Sequence, residues 1–129
     1  MIGIQAYFPL SKNINPTPAT LNAAWALRMK ALHTYAESMN RDIIFTELGY
    51  NQSHLAPVKP WTYQVDGDEA LPIQEACMRA ALQAINTEPR VIGAFLWKWF
   101  PLPHSVGHNF QLATPAMKAV ITEFWDNSK

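Results

Sequence analysis

The sequence has one cysteine, Cys77, among 129 residues, which rules out an intrachain disulfide and any metal site built from several thiolates. Its apolar, helix-like neighbours fit a packed thiol. There is no run of Lys or Arg, and ten basic residues balance ten acidic ones. The chain therefore lacks the electrostatic footprint of a partner for nucleic acid or for an anionic membrane. No uninterrupted apolar stretch approaches the roughly 18 residues of a membrane span, and Met1 is followed by strand-like sequence instead of a basic and then apolar leader. The chain as given is expected to be neither anchored nor targeted, with a cytoplasmic location as the default. At 49% hydrophobic and 16% charged, the composition fits one globular domain over residues 1–129 with a single core, and small neutral ligands suit its charge balance.

What is present is a threefold repeat of one pattern. Residues 2–8 (IGIQAYF) read as a strand, and Thr17-Pro18 starts a helix over 18–39 with a capping hydroxyl and a proline in its first turn. Leu21, Ala24, Trp25, Leu32, Tyr35, Ala36 and Met39 recur along it at helical spacing, and Arg28 interrupts the stripe as a side chain able to snorkel. Residues 43–47 read as a second strand and 69–85 as a second helix with a small-residue face at Ala76, Ala80, Ala81 and Ala84. A third strand over 91–99 (VIGAFLWKW) and a helix over 115–125, again opened by Thr-Pro, complete the series. The order β-α-β-α-β-α implies parallel strands with right-handed crossovers. In each unit the loop after the strand is the long one, which suits a barrel whose working face lies at the carboxyl ends of its strands.

Glu47 is the acid that this arrangement singles out. It follows Ile43-Ile44-Phe45-Thr46, an apolar, β-branched run without polar alternation, the pattern of an inner strand buried on both faces. A carboxylate there is either satisfied by neighbours in the core or stands at a strand end facing a pocket, where α/β folds place their chemistry. The connection over 49–68 holds Pro57, Pro60, Trp61, Tyr63 and the turn signal Asp66-Gly67. Connections this long in compact domains are functional or disordered, and the aromatic residues argue for order. Trp97 and Trp99 alternate and so are expected to share one face of the third strand. Indole rings pack on the apolar faces of sugars, and they also fill cores. Trp25 and Trp125 fall on helical stripes and read as packing residues.

"AYFPLS" after the first strand, "FTELGY" ending the second, "KPW" downstream and "FLWKWFP" ending the third together resemble the last three βα units of a (β/α)8 glycoside hydrolase. The resemblance is to the family-113 β-mannanase group of clan A, and it covers nearly the whole chain. It implies a partial TIM barrel, in the α/β class, acting on small β-linked sugars such as β-mannosides or β-glucosides without a cofactor or metal. Glu47 then takes the place of the catalytic nucleophile. Tyr7 takes the place of a tyrosine that hydrogen-bonds it, Trp97 or Trp99 that of the sugar platform, and Trp61 that of a further substrate-contacting residue. The sequence departs from the family in two respects. A whole barrel needs about 250 residues and eight strands, and no Asn-Glu pair is present to supply the family's acid/base.

Retaining hydrolysis needs two carboxyl groups roughly 5 to 5.5 Å apart. Asp66, Asp68 and Glu69 are the loop acids available for the second role, although capping and turn functions explain them more simply. His104 and His108 are four apart, but the Ser-Val-Gly between them and the nearby prolines oppose a helix that would align them on a metal. A three-stranded parallel sheet leaves apolar edges at residues 2–8 and 91–99. Reciprocal pairing of these edges would give a homodimer closed into a six-stranded barrel, with two copies of Glu47 on one face and their pKa values split. Two other readings stand beside this oligomeric glycosidase: a noncatalytic carbohydrate-binding module, and an inactive fragment of a barrel enzyme.

Overall fold

In the computed structural model, which describes residues 1–100 and 110–125, three strands and three helices alternate along the chain. They are β1 (Ile2–Gln5), α1 (Pro18–Met39), β2 (Ile43–Leu48), α2 (Leu71–Thr87), β3 (Val91–Leu96) and α3 (Pro115–Trp125), with a 3-10 turn over Asp68–Ala70 ahead of α2. The sheet is open, in the order β1-β2-β3, and both pairings are parallel. The architecture is α/β, that of part of a barrel.

The helix limits follow from local chemistry. Thr17 is extended, and its hydroxyl accepts from the Thr20 N–H at 3.2 Å ahead of Pro18, which satisfies one of the free donors of the first turn. At the other end Asn40 is left-handed at φ 48°. Its N–H donates to Glu37 O and that of Arg41 donates to Ala36 O, both at 3.0 Å, the pair of bonds that closes a Schellman end. Leu21, Trp25, Met29 and Ala36 turn inward. Tyr35 and Met39, placed on the apolar stripe by spacing alone, are 48% and 52% exposed, whereas Ala36 between them is fully buried, so the inward face of the last turns is narrower than the stripe. Arg28 does snorkel, with its guanidinium 4.8 Å from the centre of the Phe8 ring.

The core lies between the sheet and the helices. Trp25 is fully buried against Phe8 and Phe45, and its indole N–H donates to the Tyr50 hydroxyl at 3.1 Å. α2 packs against both α1 and α3, its buried Ala80 and Ala81 letting the helices approach closely. Gln74 is buried with its amide donating to Tyr50 O at 2.8 Å and Gln111 O at 3.2 Å. One side chain thereby ties the loop after β2 to the chain after β3. Cys77 is buried, and burial raises its thiol pKa well above the ordinary value, as fits a packed thiol.

Two expectations about the strands are corrected. β2 is not buried on both faces: Ile43, Phe45 and Leu48 are buried, whereas Thr46 is exposed. Helices cover only one side of the sheet, and the other, which a closed barrel would turn inward, is open. The regular strands are also shorter than the apolar runs. β1 stops at Gln5 ahead of Pro9, and β3 stops at Leu96, where the chain turns at Trp97-Lys98, a cis peptide.

Candidate active site

The site begins with an irregularity in the sheet. Ile2, Gly3 and Ile4 pair with Ile43, Ile44 and Phe45, but Gln5 pairs with Glu47, so Thr46 is an extra residue on β2. Such a bulge re-aims the side chain that follows it. Thr46 already occupies the open face, where a Cβ on Gly3 would lie 2.9 Å from its methyl group. Strict alternation would point Glu47 towards the helices, yet the slip brings it level with Gln5.

Two donors from the chain of β1 then hold the carboxylate. The Gln5 amide Nε2 donates to Glu47 Oε1 at 2.7 Å, and the Tyr7 hydroxyl donates to Oε2 at 2.7 Å. Burial raises the Tyr7 pKa far above the ordinary phenol value, and the hydrogen bond to Glu47 adds to this. Tyr7 therefore remains a protonated donor throughout the neutral range. The main chain is fixed as well, since Ala6 N–H donates to Glu47 O at 2.8 Å. Half-buried and oriented through both oxygens, Glu47 is an anchored acid at the carboxyl end of a strand.

The end of β3 is brought to the same place by Gly49. Trp97 N–H donates to Leu48 O at 2.7 Å, and a Cβ on Gly49 would stand 1.8 Å from the Trp97 carbonyl oxygen. Only glycine permits that approach. Lys98 continues the structure, pairing with Phe110 O through its N–H at 2.9 Å, while its ammonium lies 5.6 Å from the Trp97 ring and 4.8 Å from that of Phe100.

Trp99 is elsewhere. It lines an open groove of about 440 Å³ with Ala94, Phe95, Leu96, Ile121 and Trp125, and the Lys118 ammonium lies 5.6 Å from its ring. The face that Trp97 and Trp99 were expected to share does not form, because the strand ends at Leu96 and two-residue alternation ends with it. Trp125 flanks this groove at 41% exposure, at the margin of the packing and not within it.

Trp61 is 50% exposed on a loop that is built from within. Buried Asn51 points its amide at the loop, with Nδ2 2.9 Å from both Thr62 O and Thr62 Oγ1 and 3.2 Å from Lys59 O. Asp66 accepts from Gln64 Nε2 at 2.7 Å, from His54 N–H at 2.9 Å and from Ser53 Oγ at 3.0 Å. These bonds, that of Gln64 foremost, hold its carboxyl below the usual range. Asp66 is thus a loop staple kept ionised and is a poor source of the missing acid. Asp68 and Glu69 open the 3-10 turn ahead of α2, and Glu69 lines a groove with Asn15, Pro16, His54, Pro72 and Ile73. His104 and His108 lie outside the described residues. Among the described residues no three His, Cys, Asp or Glu side chains converge as metal ligands, and no helix is long and apolar enough to cross a membrane.

Sequence reasoning passed over Gln5, although its two-residue spacing from Tyr7 was a usable signal. It also passed over the partners of Tyr7. The Tyr7 ring meets the buried Phe110 ring edge-on, with 6.0 Å between centres, and Phe110 meets Tyr63 at 5.4 Å.

A parallel α/β sheet with an oriented carboxylate at a strand end, fronted by aromatic loops, is the architecture of a barrel glycoside hydrolase. Comparison with protein families makes that specific: the model of Glycoside Hydrolase Family 113 matches residues 1–106. The chain belongs to this family. No curated protein and no solved structure matches it.

Proposed function

We propose that the chain is a retaining β-glycosidase of small β-linked sugars, such as β-mannosides or β-glucosides, with Glu47 as its nucleophile. The observation that carries this reading is the pair of 2.7 Å hydrogen bonds from Gln5 and Tyr7, one to each oxygen of a carboxylate at the end of β2. Two donors fix the carboxylate for attack on the anomeric carbon. In the reaction Glu47 bonds to the anomeric carbon as the glycosidic C–O bond breaks. A second carboxyl group protonates the departing oxygen, and water then releases the sugar. Trp97, tethered by its main chain beside Glu47, and Trp61, on the stapled loop, are the residues we assign to the sugar.

The second carboxyl group is assigned to the wall that faces the open side of the sheet. β1 and β3 are its edges, and Ile92 and Phe95 of β3 are 57% and 64% exposed. Exposed apolar edge strands are templates for further strands, and self-association through them would supply both the wall and a second Glu47. The test is turnover of aryl β-mannosides and β-glucosides. Release of the aryl group by the parent, lost by at least a hundredfold in Glu47→Gln, supports the reading. Saccharide binding without turnover would select a noncatalytic module instead, a role that the half-exposed Trp61 also fits.

A further inference from the structure

Tyr63 is the least explained aromatic residue near the site. It is 74% exposed, yet its position is fixed from two directions. On one side, the residue before it is gripped by Asn51, which is buried and four residues after Glu47, with Nδ2 2.9 Å from both Thr62 O and Thr62 Oγ1. On the other side, its ring packs at 72° against Phe110, which is itself buried, and Phe110 also meets the Tyr7 ring, at 77°. Phe110 is held by its own main chain, because Lys98 N–H donates to Phe110 O at 2.9 Å. The loop after β2, the chain after β3 and the tyrosine after β1 thus converge on one phenyl ring.

An exposed side chain normally gains little from being ordered, since holding a ring in place costs rotamer entropy and only burial offsets it. Here the support is buried and the supported ring is not. A preformed aromatic face with a hydroxyl at its tip suits a neutral sugar, whose C–H face packs on the ring and whose hydroxyls meet the phenol. We infer that Tyr63 is a saccharide-contact residue, a second aromatic wall carried beside the Glu47–Tyr7 pair by Phe110, and that it binds a sugar unit of a β-linked oligosaccharide. The inference rests on the glycosidase reading and adds to it a specificity-determining contact outside the nucleophile's own partners.

Titration calorimetry of the full chain carrying Glu47→Gln, with β-1,4-linked mannotetraose and cellotetraose as probes, tests this. Adding Tyr63→Ala should weaken binding of the preferred probe about tenfold, whereas Tyr63→Phe, which keeps the ring, should lose less than threefold. In the parent background Tyr63→Ala should raise KM with kcat largely kept, because the contact is to sugar and not to the reacting atoms. Because Tyr63 is exposed, circular dichroism of each variant should match that of its parent. Unchanged affinity in Tyr63→Ala would overturn the inference and leave the glycosidase reading intact. Absence of binding to either probe, with no turnover by the parent, would overturn both.

Discussion

Glu47 and Tyr7 are forty positions apart and meet because β1 and β2 are neighbours, so their hydrogen bond can be removed without touching the core. Tyr7→Phe keeps the ring contact with Phe110 and deletes only the donor to Oε2. A hydrogen bond to a charged acceptor contributes about 1.5–3 kcal/mol. We predict that Tyr7→Phe lowers kcat/KM roughly tenfold to a hundredfold, as measured by steady-state kinetics on an aryl glycoside. Unchanged kinetics would remove Tyr7 from the account. At this scale the sequence was partly legible. A carboxylate directly after an apolar strand identifies a strand end, and that logic led to Glu47. The bulge at Thr46 was not legible, since nothing in Phe45-Thr46-Glu47 signals an extra residue, and without it alternation would turn Glu47 towards the helices. Trp97 and Trp99 show the reverse error, in which alternation was carried past the point where the strand stops.

Among the elements, the start of α1 was legible because Thr17-Pro18 depends only on neighbouring residues, whereas its left-handed end at Asn40 was found in the structure. The staples of the loop after β2 were not. Asn51 reaches Thr62 and Asp66 reaches Ser53 and His54 through contacts that follow only from the folded path. One element contact carries a pH dependence. His33, in the second half of α1, lies 2.8 Å from Glu88 just after α2 and 3.4 Å from Glu37. The hydrogen bond to Glu88, more than any other influence, raises the His33 pKa above its ordinary value. A raised folded-state value means that the protonated form favours the fold. The contribution is therefore complete below the unfolded value of about 6.5 and is lost as pH rises through the folded one. We predict that the melting temperature falls modestly between pH 6 and pH 8, and that His33→Gln flattens this part of the profile. A wild-type dependence retained in His33→Gln would show that another group is responsible.

For the whole molecule, the parallel α/β order was legible from the repeated strand, long loop and helix, because that periodicity is set by the core. The open face of the sheet was not, since strands that look fully apolar by composition are covered by helices on one side only. An open parallel sheet with edges at β1 and β3 accounts for a carboxylate that is well oriented but only half enclosed. Light scattering on the purified chain should give at least twice the 14.6 kDa chain mass, and a monomeric mass would contradict closure by further copies. The nucleophile itself is tested most directly by incubating the protein with a 2-deoxy-2-fluoro β-glycoside bearing a good leaving group and measuring intact and peptide masses. One added glycosyl group per active chain is expected, located on Glu47 and absent in Glu47→Gln. Turnover of aryl glycosides with the label on any other carboxylate would contradict it.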